Sequence, residues 1–249
     1  MEKIKVGMVN YLNTQPMLYG IEHSPVSKMI QLVPDYPAQV AQKLLDGVTD
    51  IGIIPVAVIP RLKEYHIVTD FCIGCEGPVA SVCLFSEVPI EQVETVLIDY
   101  QSRTSAALTK VLLRDYWKIS PTLIDTQNGY QQGIKGTTAG LVIGDRALEQ
   151  RHHSPYIYDL GEAWIAHTGL PFVFAAWVSN KELPASFIQQ FNEAMALGMQ
   201  HIEEVVAANP YPVFDLHDYY TKHISYELTA GKREGLQKFL SLLPASVKA

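Results

Sequence analysis

The densest polar chemistry in the chain is the run Asp-Tyr-Gln-Ser-Arg-Thr-Ser, residues 99–105, directly ahead of the helical stretch AALTKVLL. A helix N-terminus needs one capping hydroxyl. Ser102, Thr104 and Ser105 offer three, with Arg103 among them. Capping accounts for one of these. The excess suits an anion site, where free backbone N–H groups, the positive end of the helix dipole and hydroxyls converge on a carboxylate or phosphate. Neither GxxxxGK[ST] nor GxGxxG stands at a strand–helix junction, so a small carboxylate fits better than a nucleoside triphosphate.

Three further stretches carry functional groups. VNYLNTQP, residues 9–16, follows the strand-like KIKVGMV. Its Asn, Thr and Pro suit an ordinary turn into a helix, or a polar floor at the carboxyl end of a parallel strand, where open α/β sheets bind ligands. On the second reading Tyr11 is a wall, Leu12 its neighbour and Asn13 a polar contact. In GLVIGDRALE, Gly144 allows close approach to a ligand and Asp145 is either a contact or, the better reading, a cap for the helix that follows, with Arg146 beside it. DLGEAWIAHTGLP holds Asp159, Glu162, Trp164, His167 and Thr168, more functionality than a connector requires. Trp164 could equally pack the interior.

Cys72 and Cys75 have C-x-x-C spacing, but no partner pair, helix start or zinc-spaced histidine accompanies them. Together with Cys83 they read as buried apolar cysteines. No HExxH or GxSxG is present, and no metal site is expected.

These motifs need a frame to hold them. Strand-like and helix-like segments alternate from the start: strands at KIKVGMV, KMIQLVP, DIGIIPV and HIVTDFCIG, with helices near 16–20 and 37–46, imply a parallel sheet. A second such series follows PVASVCLFS. That tract and FVFAAWVS, residues 172–179, are long and apolar, and read as two crossover strands. The organisation expected is a discontinuous α/β domain of residues 1–80 plus 178–249, with an α/β domain of residues 81–177 inserted, and a ligand cleft between them.

With 249 residues, 48% hydrophobic and 18% charged, the chain can bury a sizeable core. A net charge of -7 argues against nucleic acid or an anionic membrane as partner. No secretory signal pattern or membrane-length apolar run is seen, so a cytoplasmic protein, monomer or homodimer, is expected.

VNYLNTQP, SVCLFS with VPIEQV, SRTSAALTKVLL, LVIGDRAL and DLGEAWIAHTGLPFVFAAW, in this order and spacing, resemble the chorismate dehydratases of the futalosine route to menaquinone. The resemblance implies a two-domain α/β fold like the type II periplasmic binding proteins. It also implies conversion of chorismate to 3-[(1-carboxyvinyl)oxy]benzoate and water without a metal or organic cofactor. The SRTS residues would capture a substrate carboxylate and Asn13 would position the reacting centre. Ser86, Leu12, Gly144, Asp145, Trp164 and Thr168 complete the contacts it suggests. The C3 proton is taken either by the substrate's own enolpyruvyl carboxylate or by Asp145, Glu162 or, less well placed, His167. Gln15, the extra cysteines and His167 depart from the family pattern. Two other readings stay open: the sister enzyme that forms 1,4-dihydroxy-6-naphthoate, whose N-terminal loop pattern differs from NYLNTQP, and a non-catalytic binder of small carboxylates.

Overall fold

The computed structural model describes residues 3–244. Its strands form two sheets. The first holds β1 (Ile4–Val9), β2 (Ile30–Asp35), β3 (Ile51–Pro55) and β4 (His66–Cys75), and the second holds β5 (Val82–Ser86), β6 (Thr95–Ile98), β7 (Thr122–Asp125), β8 (Thr138–Ile143) and β9 (Tyr156–Asp159). The chain then returns to the first sheet with β10 (Phe172–Ser179) and β11 (Ser225–Glu227). The spatial orders are β11-β4-β10-β3-β1-β2 and β7-β6-β8-β5-β9.

Both sheets are built alike. Three parallel strands (β2-β1-β3 and β7-β6-β8) are followed by one antiparallel strand (β10 and β5), and a further strand closes on it (β4 and β9). In each sheet the antiparallel strand is the first one laid down after the chain crosses from the other lobe. The expected parallel arrangement holds for β1, β2 and β3. It fails between β3 and β4, because β10 is inserted there and pairs with both.

The same pairing corrects the expected crossovers. PVASVCLFS and FVFAAWVS each contribute a strand to one sheet only. A strand hydrogen-bonded on both edges has its backbone groups engaged in the ladder and cannot double as a linker. The first crossing is the irregular segment 76–81, in which Ala80 has φ +63°. The buried Asp159 carboxylate holds it by accepting from the N–H groups of Val79 (3.0 Å) and Ala80 (2.7 Å). The second crossing is Gly169–Pro171, so the return to the first lobe falls near residue 171, earlier than the expected 178.

Helices α1 (Gln15–Glu22), α2 (Pro37–Leu45), α3 (Thr104–Leu112), α4 (Asp145–Gln150), α5 (Leu160–Thr168) and α6 (Ala185–Gln200) flank the sheets. Proline within the first two positions of α1 and α2 suits a helix start, where its missing N–H costs nothing. Where α1 crosses α6, a Cβ on Gly20 would stand 1.8 Å from the Ala194 carbonyl oxygen. That close backbone contact seats α1 and the loop before it. Trp164 and Phe172 meet edge to face, as do Trp177 and Phe191, within one apolar core that spans both sheets. Among the described residues no helix is long and apolar enough to cross a membrane.

Candidate active site

The cleft between the lobes is lined from the first lobe by the segment after β1, which contributes Tyr11, Asn13 and Thr14, together with Pro37, Pro55 and Phe174. From the second lobe come Ser102, Arg103, Thr104 and Ser105 at the start of α3, and Ile143 and Gly144 at the end of β8. The lobes are closed on one another, leaving a cavity of about 60 Å³. Small-molecule pockets usually measure a few hundred Å³ or more. A ring-sized ligand enters only when the lobes part.

The N-terminus of α3 is a capped helix start that leaves some of its polar groups free. Ser102 Oγ accepts from the N–H groups of Ser105 (3.1 Å) and Ala106 (3.3 Å), which is the capping role. Thr104 Oγ1 is also engaged, accepting from the Ala57 N–H of the other lobe at 3.1 Å. Among the described residues the N–H groups of Arg103 and Thr104 find no acceptor and the Ser105 hydroxyl no hydrogen bond, although Thr104 and Ser105 are buried against the cavity. Facing them, the buried Oδ1 of Asn13 has no partner among the described residues. A buried polar atom without a partner is costly, so its place in a cleft marks a position for a ligand donor.

A clasp of polar contacts holds the two walls together. The Tyr11 hydroxyl donates to Gln101 Oε1 across the cleft. Arg146 Nη2 bonds the same oxygen at 2.9 Å and the Asp99 carboxylate at 2.8 and 3.1 Å. Asp99 also accepts from the Tyr130 hydroxyl and the Gln101 N–H. Burial works to lower the Arg146 pKa, but the Asp99 carboxylate outweighs it and holds the guanidinium charged. Burial pushes the Tyr11 phenol far above its ordinary value, so it is a donor and not a base. Asp145 reaches across as well, accepting from the Leu12 N–H at 3.1 Å, and burial pushes its carboxyl up to about 6.

The expected site residues therefore divide. Tyr11, Asn13, Ser102, Arg103, Thr104, Ser105 and Gly144 line the cavity. Leu12 and Asp145 bond each other between the lobes. Asp145 is indeed the first residue of α4, but its carboxylate serves the other lobe. Ser86, Trp164 and Thr168 are not brought to the cleft. Ser86 lies at the far end of β5, four residues or roughly 13 Å from the cavity-lining Val82. Its hydroxyl accepts from the Val88 N–H. Trp164 is fully buried against Phe172 and Phe239, where apolar packing decides its place. Thr168 bonds the Trp164 carbonyl at the end of α5.

The DLGEAWIAHTGLP stretch is thus a helix capped by Asp159, which accepts from the N–H groups of Gly161 and Glu162. Glu162 and His167 are exposed on that helix and line no part of the cavity. Gln101 and the Arg146–Asp99 pair were outside the expected set. Their signal in the sequence is faint, since only their adjacency to SRTS and to Gly144 sets them apart. Among the described residues no group of three or more His, Cys, Asp or Glu is placed to hold a metal.

Two lobes of repeated topology, meeting at a cleft lined by a helix N-terminus and an unpartnered amide oxygen, define a binding-protein-like α/β protein. Solved structures agree on the fold. The Archaeoglobus fulgidus protein AF1704 superposes with TM-score 0.77 at 15% identity over 96% of each chain. The Escherichia coli periplasmic aliphatic sulphonate binding protein SsuA does so with TM-score 0.62 at 19% identity, over 97% of this chain and 91% of its own. The chain belongs to the menaquinone biosynthesis family, whose model matches residues 4–245. Curated relatives are the chorismate dehydratases of Thermus thermophilus, 27% identical over 96% of this chain and 94% of theirs, and of Campylobacter jejuni, 24% identical over 96% and 97%.

Proposed function

We propose that this protein is a chorismate dehydratase, forming 3-[(1-carboxyvinyl)oxy]benzoate and water on the futalosine route to menaquinone in the cytoplasm. The observation that carries this reading is the pairing of the unpartnered Asn13 amide with the open N–H groups of α3 in one closed cavity. Chorismate has two carboxylates, and the start of α3, with Arg103 beside it, suits one of them. The reaction removes the C3 proton and the C4 hydroxyl, and the electron pair left at C3 completes the aromatic ring as hydroxide leaves with that proton. No electrons are exchanged with a cofactor. The substrate supplies most of the driving force, and the enzyme's task is to hold one conformer, a contribution that reaches about 7–11 kcal/mol in favourable cases.

The cavity offers no evident side-chain base. Among the residues lining it there is no carboxylate and no imidazole, and Tyr11 is held protonated by burial. The enolpyruvyl carboxylate of the substrate is the base this arrangement favours. Asn13, neither acid nor base at neutral pH, positions the reacting centre by hydrogen bonding.

The test is to incubate the purified protein with chorismate and follow product by mass and ultraviolet absorbance. Protein-dependent loss of one water to give the substituted benzoate is the expected result. Binding without conversion would instead make the protein a carboxylate binder, and neither binding nor conversion would redirect the search to the sister enzyme's larger substrate.

A further inference from the structure

A second and much larger concavity, about 690 Å³, lies on the outer side of α3 and shares a wall with the cleft, since Ser102 and Arg103 line both. Its floor is formed at the carboxyl ends of the parallel strands β6 and β7, by Ile98, Asp125 and Thr126. That is where open α/β sheets take ligands. Arg103, Lys110 and Arg114 line one side at spacings of seven and four residues, which places them on one face of the helical segment. Arg61 comes from the first lobe, at the end of the turn Val56–Arg61.

The charge balance of this groove is the reverse of the chain's -7. Arg114 is neutralised by Asp115, with two bonds of 2.6 and 2.7 Å, and Asp99 is taken by Arg146. Among the described residues Arg61, Arg103 and Lys110 form no ion pair, and all three are exposed. Among the described residues that line the groove, Asp125 is the acid left to oppose them. A concave, net-positive surface on an otherwise anionic protein focuses the field and concentrates anions locally.

We propose that this groove is the capture site for the organic dianion that the cleft consumes, with Arg61 and Lys110 holding it beside Arg103 until the lobes part. The proposal rests on the substrate reading above. It answers a geometric need, because the cleft cavity of about 60 Å³ is too small to receive the ligand directly, whereas the groove of about 690 Å³ has room for it and shares Ser102 and Arg103 with the cleft. Arg61 and Lys110 lie outside the cleft, so they affect arrival and not chemistry.

The test uses the double variant Arg61→Gln/Lys110→Gln and two readouts. In steady-state kinetics with chorismate at low salt, kcat/KM falls roughly tenfold with kcat unchanged, and the difference from wild type shrinks as salt is raised. In NMR titration with isophthalate, an unreactive aromatic dicarboxylate, the amide signals of Ala106, Ala107 and Thr126 shift saturably in wild type and weakly in the variant. Signals of cleft residues such as Gly144 respond alike in both proteins. Equal kcat/KM and equal salt dependence in the two proteins would overturn the proposal, as would groove signals that isophthalate leaves unmoved. If wild type does not convert chorismate, the function reading falls, and the isophthalate titration by itself decides the groove.

Discussion

Tyr11 lies against Gly144 so closely that a Cβ on the glycine would stand 2.8 Å from the tyrosine ring. The two residues belong to different lobes, and Gly144 has φ +66°, a conformation that side chains disfavour. Gly144→Ala therefore both strains the end of β8 and wedges the lobes apart. The expected outcome is a stability loss of about 1–3 kcal/mol in denaturant unfolding, together with a rise in KM. An unchanged KM would show that the lobes need not close to this contact.

Asn13 is expected to matter for turnover and little for folding. Its Oδ1 bonds to no described residue, so Asn13→Ala forfeits no internal hydrogen bond there. We expect kcat/KM for chorismate to fall by roughly 10²–10³-fold, as for loss of one positioned group acting on a transition state. Thermal unfolding should stay within about 2–3 °C of wild type.

Asp145 gives a pH test with a definite sign. Its carboxyl is pushed up to about 6 by burial, against an unfolded value of about 3.9. The folded chain holds this proton more tightly, so the contribution of Asp145 to stability is greatest below about pH 4, falls as pH rises to 6 and is level above. Asp145→Asn keeps an oxygen acceptor for the Leu12 N–H and removes the titration. Relative to wild type, the variant should gain on the order of 2 kcal/mol at pH 7.5, and the gain should vanish near pH 4. Turnover should persist. A loss of roughly 10²–10⁴-fold would instead assign Asp145 as the base.

Arg146 is the counter-ion of an Asp99 that is 1% exposed. Arg146→Gln leaves that carboxylate buried without its cation, a change that typically costs about 3–5 kcal/mol. For a chain of this size the expected fall in Tm is roughly 6–20 °C. Because Gln101 Oε1 then loses one of its two donors, KM at permissive temperature should also rise.

The three cysteines are buried, and burial pushes the Cys72 thiol up to about 12 and those of Cys75 and Cys83 well above the ordinary thiol value. Native protein should not react with a disulfide reagent at pH 8, whereas denatured protein should titrate three thiols. Rapid native labelling of the Cys72–Cys75 pair would contradict the packing.

How much of this was legible beforehand depends on the range of the interaction involved. The start of α3 could be read because a helix N-terminus and its caps are written within four consecutive residues. Asn13 could be singled out for a similar reason, standing just after a recognisable strand. Trp164 misled, because a tryptophan in a polar stretch looks the same whether it faces a ligand or, as here, Phe172 and Phe239. Ser86 misled because a motif marks residues and not the end of the strand that meets the cleft.

From the sequence alone came the α/β class, most of the strands, the two-lobed organisation and the resemblance to a dehydratase family. All of these rest on local periodicity, on caps and on motif order. Only the tertiary structure placed β10 antiparallel between β3 and β4, moved the return crossing to 169–171, and joined Tyr11 to Gln101 and Leu12 to Asp145. Those contacts span 90 and 133 residues. They depend on which apolar faces pack together and how far the lobes close, and neither is encoded in any short stretch of the chain.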